Sequence, residues 1–151
     1  PQTGMAIDQS ADNVFWIRLD AVSCFDQPEQ QFMKLRIDEV HGHGNAQQER
    51  VLLTVLEDTD LKNFIVADTT YTTDGQSISN KFRHTKWFQP WPVKKGDRVA
   101  LWTKHGTDAT SLHEGVRWHQ FYWNSGAAIW NDAGDGAVLF QLADWRTTRA
   151  R

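Results

Sequence analysis

The residues best suited to chemistry are the histidines. His41 and His43 flank Gly42, and His84, His105, His113 and His119 follow. Two histidines at i and i+2 of a strand share a face and would hold one metal ion with a third ligand from elsewhere. No third ligand stands at a readable spacing, so the HGHGN run at residues 41–45 reads more simply as an exposed glycine-rich turn. His113-Glu114 opens like the zinc-protease helix motif, but the position four residues on is Arg117, which ends that reading. The NDAGDG run at residues 131–136 invites a calcium loop. It lacks alternating Asp/Asn ligands, and position 12 of such a loop falls on Leu142 where a glutamate is required. A tight turn is expected instead, with Gly134 and Gly136 at positive φ. Cys24 has no neighbouring histidine and there is no G-x-S-x-G elbow, so nucleophilic catalysis has no foothold. Asp58 and Asp60 fall in what reads as a solvated turn. The expectation is a chain without catalytic residues, metal or cofactor.

Eight tryptophans are the compositional anomaly. Trp102 and Trp130 lie inside strand-like patterns and are expected in the core, which bulky aromatics fill. Trp87, Trp91 and Trp145 stand beside prolines or charges, outside clean alternation, and are the candidate interaction surface together with Phe15 and Trp16. A contiguous aromatic patch marks a binding surface for protein or sugar, whereas scattered aromatics need no explanation.

The elements that would position these residues are short and extended. At 151 residues the chain suits one domain, and a net charge of −3 with scattered basic residues disfavours nucleic acid as a partner. No run reaches the roughly 18 to 20 apolar residues of a membrane helix, and no secretory leader is visible, so a soluble protein is expected, cytoplasmic or built into a larger particle. Residues 1–12 read as a mobile tail. Residues 14–22 (VFWIRLDAV) and 33–40 (MKLRIDEV) read as strands, the second with clear period-2 alternation. The turn at 41–48 and the apolar run 49–56 (ERVLLTVL) complete an expected antiparallel hairpin. Further strands are expected at 61–67, 98–103, 116–123, 127–130 and 137–142, a hairpin tip at Asp74-Gly75, and an extended crossing at 86–95, where Pro90 and Pro92 bracket Trp91. The pattern predicts a single all-β sandwich over residues 13–151.

Five fragments in order resemble the lamin tail domain family: Leu35 to Val40, Glu49 to Leu53, Asp60 to Asn63, Lys95 to Trp102 and Ile129 to Leu139. The resemblance spans about residues 33–142, and its most specific part is the Trp130-Asn131 and Gly134-Asp135-Gly136 run before the last strand. It implies an immunoglobulin-like β-sandwich and a non-catalytic role in protein contact or assembly, as a stand-alone bacterial or phage-encoded building block. The implied partner is protein, either further copies of the chain in a homo-oligomer or a larger scaffold. A carbohydrate-binding module that stacks sugars on Trp87, Trp91 or Trp145 is the alternative.

The strand around Phe15 to Leu19 lies outside the resemblance and is an additional amino-terminal strand. Leaving Phe15, Trp16, Ile17 and Leu19 in water forgoes roughly 1.5 to 3 kcal/mol apiece, so pairing with an edge of its own sheet or of a neighbour is expected.

Overall fold

A computed structural model describes residues 32–131 and 133–150. The predicted strand at 14–22, with Phe15 and Trp16, and Cys24 lie outside the described residues. The described part is all-β, built from β1 (Leu35–His41), β2 (Arg50–Val55), β3 (Thr59–Asp60), β4 (Phe64–Thr70), β5 (Thr85–Trp87), β6 (Pro92–Val93), β7 (Arg98–Trp102), β8 (Ala109–His113), β9 (Val116–Tyr122) and β10 (Asp135–Gln141). A five-stranded sheet runs in the order β1-β2-β7-β9-β8, a three-stranded sheet in the order β10-β4-β5, and β3 pairs with β6. No helix among the described residues is long and apolar enough to cross a membrane.

Alternation explains how the sheets pack as a sandwich. In β2, Val51, Leu53 and Val55 are buried while Arg50, Leu52 and Thr54 are half-buried, and in β7 Val99 and Leu101 point the same way. These meet Phe64 and Val66 of β4, with Phe88, Phe121 and Trp130 filling the space between. The β1–β2 hairpin forms as expected, with a bulge between Ile37 and Glu39. The tip at Asp74-Gly75 forms too: Tyr71 bridges Ile78, the Thr72 amide donates to the Ser77 carbonyl (2.7 Å), and Gly75 sits at φ +67.

Several expectations are corrected. Leu61–Asn63 is a 3₁₀ turn, because the Asp60 side chain accepts from the Lys62 amide and caps it. Residues 127–130 form no strand, because the Ile129 amide is taken by the Glu49 carboxylate (2.7 Å) and the Trp130 carbonyl by the Gly44 amide (2.9 Å). Neither Gly134 nor Gly136 has positive φ. A Cβ on Gly136 would lie 2.6 Å from the Tyr71 ring, so close approach explains the missing side chain there. β8 carries no apolar alternation and was not expected from the sequence. β7 and β9 pair in parallel.

Candidate functional site

The histidine pair does not form a metal face. His41 ends β1, and Gly42 at φ +66 turns the chain before His43. No group of three or more His, Cys, Asp or Glu residues is placed to hold a metal ion among the described residues. His113-Glu114 lies at the tip of the β8–β9 hairpin, with Glu114 at φ 50, so no helix exists there. Asp58 and Asp60 are turn clamps. Asp58 accepts from the Lys95 amide (2.9 Å) and Lys94 Nζ (2.9 Å), and Asp60 accepts from the amides of Lys62 (3.0 Å) and Trp91 (2.9 Å).

Two polar clusters resemble reactive sites, and each is closed by its own partners. Asp68, Thr70 and Asp135 share the inner face of the β10–β4 ladder, where two carboxylates would attract a cation. Arg83 occupies that position: its Nη2 donates to Asp135 (2.6 Å), Asp68 (3.1 Å) and Thr70 Oγ1 (3.0 Å), while His84 Nδ1 meets the other Asp68 oxygen at 3.0 Å. The hydrogen bonds that Arg83 donates to Asp135 and Asp68 raise the guanidinium pKa further, so it stays charged.

The second cluster has the residue types of a hydrolytic triad. His119 is buried, its Nε2 lies 2.8 Å from Asp97 Oδ2, and its Nδ1 lies 3.1 Å from Thr110 Oγ1. The Trp91 indole N–H also donates to Nδ1 (2.9 Å). Indole nitrogen is only a donor, which assigns the imidazole proton to Nε2 and leaves Nδ1 as an occupied acceptor. A ring so held takes no proton from Thr110. The arrangement is a buried brace joining the turn before β7, β9 and the crossing segment.

Burial pushes the Asp97 carboxyl up, but the hydrogen bonds from His119 and the Lys94 amide, with the charge of Arg117, outweigh it and hold the group below its usual value. A depressed carboxylate contributes stability above its unfolded pKa, about 3.9, and that stability is lost as pH falls through the lower folded value. The stability difference between wild type and Asp97→Asn is therefore expected to be widest near neutrality and to shrink below about pH 4. Urea titrations at stepped pH measure it. Parallel stability curves down to acid would contradict the assignment.

The tryptophans divide by sheet face. Trp130 is in the core as expected, but Trp102 is not. Since Val99 and Leu101 point inward, Trp102 faces outward, half-buried, with the Arg50 guanidinium 4.6 Å and Lys104 Nζ 4.2 Å from its ring centroid. Trp91 turns inward and packs edge-to-face on Phe121 at 5.2 Å, so it is not part of an exposed surface. Trp87 and Trp145, 45% and 50% exposed, are together: their centroids lie 4.6 Å apart at an interplanar angle of 89°.

That pair belongs to a larger patch. On the outer face of the three-stranded sheet Ile65 sits between its partners Phe140 and Trp87. Phe82, 42% exposed, stands edge-on against Phe140 at 5.2 Å. Ile65, Phe82 and Phe140 were not expected in any site. Phe82 lies in a polar run and Phe140 in a strand with apolar residues on both faces, so only pairing reveals their company. Arg83 and Ser79 belong to the segment that folds back over this sheet, held by Thr69 Oγ1 donating to the carbonyls of Ser79 (3.1 Å) and Lys81 (3.2 Å).

No protein-family model, no curated protein and no solved structure matches this chain.

Proposed function

We propose that this chain is a non-catalytic protein-interaction module that assembles with further copies of itself through the outer face of the three-stranded sheet. The observation that carries this is the continuous aromatic patch of Trp87, Trp145, Phe82 and Phe140 around Ile65. Large rings left half in water at contiguous positions are characteristic of association surfaces. The closed state of both polar clusters supports a role without catalysis. The edge-to-face geometry of Trp87 and Trp145 favours protein over carbohydrate, because two rings at 89° offer no common plane for successive sugars.

We also propose a lamin-tail-like, immunoglobulin-like sandwich. Its support is positional: the resembling fragments coincide with β1, β2, the Asp60-capped turn, β7 and the approach to β10. Light scattering over a range of concentrations tests the assembly reading. Wild type is expected to exceed the 17.4 kDa monomer mass as concentration rises, and Trp87→Ser/Trp145→Ser to remain monomeric. A wild-type monomer at every concentration, with saturable quenching of tryptophan fluorescence by a glycan, would overturn it in favour of sugar binding.

A further inference from the structure

We infer that β8, the outer strand of the five-stranded sheet, accepts an extended acidic segment of a partner protein as an added strand. This surface is separate from the aromatic patch, so the two proposals stand or fall independently.

The backbone geometry comes first. β8 joins β9 through Glu114-Gly115, both at positive φ (50 and 78), the two-residue turn that matches strand twist. Such a turn is flanked by a hydrogen-bonded pair, here His113 and Val116. By alternation His113, Ser111 and Ala109 direct their backbone groups to β9, and Thr110 and Leu112 direct theirs outward. All five residues of β8 are exposed, and the register with β9 is unbroken.

Sheet edges are normally blunted by charge, proline or a bulge. β1, the opposite edge, has both a bulge and the charged residues Arg36, Asp38 and Glu39. β5 is only three residues long and is followed by Pro90. The β8 sequence, ATSLH, has no proline, bulge, Lys, Arg, Asp or Glu. Among the described residues it is an edge left open.

Charge identifies the occupant. On the face shared by Leu112 and Arg117 lies a cleft of about 390 Å³ bounded by Lys94, Lys95, Asp97, Leu112, Val116 and Arg117. Leu112 is 73% exposed there. The neighbouring carboxylates are already engaged, Asp97 by His119 and Asp58 by Lys94; Arg117 acts on Asp97 through its charge without a direct ion pair, and Lys95 forms no ion pair among the described residues. On the other face a cleft of about 300 Å³ is bounded by Arg98, His113, Glu114 and Trp118, with Arg98 already paired to Asp38 (3.2 Å). A strand added to β8 sends alternate side chains to these two faces, carboxylates toward Lys95 and Arg117 and apolar groups onto Trp118. A second copy of the chain fits less well, since pairing β8 with itself brings two such cationic groups to one junction.

The probe is a fluorescent heptapeptide alternating Asp and Val, with a Lys/Val peptide as control. Anisotropy is expected to show saturable binding of the acidic peptide alone, and hydrogen exchange to show new protection at the Thr110 and Leu112 amides. Leu112→Pro removes an outward N–H without breaking the β9 ladder, and Lys95→Glu/Arg117→Glu reverses the charge. Each is expected to weaken the acidic peptide by roughly tenfold or more, and the charge reversal to favour the Lys/Val peptide. Should Leu112→Pro fail to fold, the charge-reversal variant decides. Equal binding of both peptides, no binding of the acidic one, or wild-type oligomers abolished by Leu112→Pro would each overturn the proposal.

Discussion

Glu49→Ala is expected to cost about 3 to 6 kcal/mol, because it strands two buried donors, Thr103 Oγ1 and the Ile129 amide, and opens a cavity in the core. Glu49 is fully buried and forms no ion pair among the described residues. Its Oε1 accepts from Thr103 Oγ1 (2.6 Å) and the Ile129 amide (2.7 Å), and its Oε2 from the Gly44 amide (3.0 Å). The carboxylate thereby ties the turn after β1, the end of β7 and the loop before β10 into one unit. Removing it leaves donors that cost about 1 to 3 kcal/mol each when buried and unmet. Against a total stability of roughly 5 to 15 kcal/mol, such a loss brings the domain close to unfolding. Glu49→Gln keeps the shape and one accepting oxygen. The Gly44 amide retains the Trp130 carbonyl as a second acceptor (2.9 Å), so the glutamine variant is expected to lose about 1 to 3 kcal/mol. Urea denaturation measures both, and a loss below about 1 kcal/mol for alanine would show that the three segments hold without the carboxylate.

Trp130→Ala is expected to cost about 3 to 5 kcal/mol, as aromatic truncations in cores do. The ring is 1% exposed and packs edge-to-face on Trp123 at 5.5 Å. Its Nε1 is buried without an acceptor among the described residues. Trp130→Phe removes that unmet donor while keeping an aromatic body, so its cost is expected to be well under half that of alanine. An unchanged denaturation midpoint for Trp130→Ala would overturn the anchoring role. Glu49 holds the Ile129 amide, and Ile129 is adjacent to Trp130, so the Glu49 carboxylate and the Trp130 ring anchor the same loop. The Glu49→Ala/Trp130→Ala double variant should therefore lose less than the sum of the two, because one loop is released by either change.

How the sequence relates to the fold is clearest at particular residues. Period-2 alternation made β1 legible, and the apolar run of residues 49–56 together with the turn before it completed the hairpin. Alternation also held the answer for Trp102: with Val99 and Leu101 inward, the strand period places Trp102 outside, and only its size suggested the core. Residues 127–130 have the composition of a strand, but their hydrogen-bonding groups are claimed by Glu49 and Gly44, which composition does not record. β8 was illegible for the opposite reason, since a strand exposed along its whole length has no apolar face to announce it.

By itself the sequence determined the class, a β protein of short strands and polar turns, because strand period and turn chemistry are local properties. Tertiary structure alone decided that Arg83 fills the place between Asp68 and Asp135, that Trp91 caps His119, and that Trp87 and Trp145 join Ile65, Phe82 and Phe140 in one patch. The physical reason is that these groups meet through strand order and register. Both are settled by which faces bury together across the sandwich, and residues distant in the chain carry no local mark of that meeting.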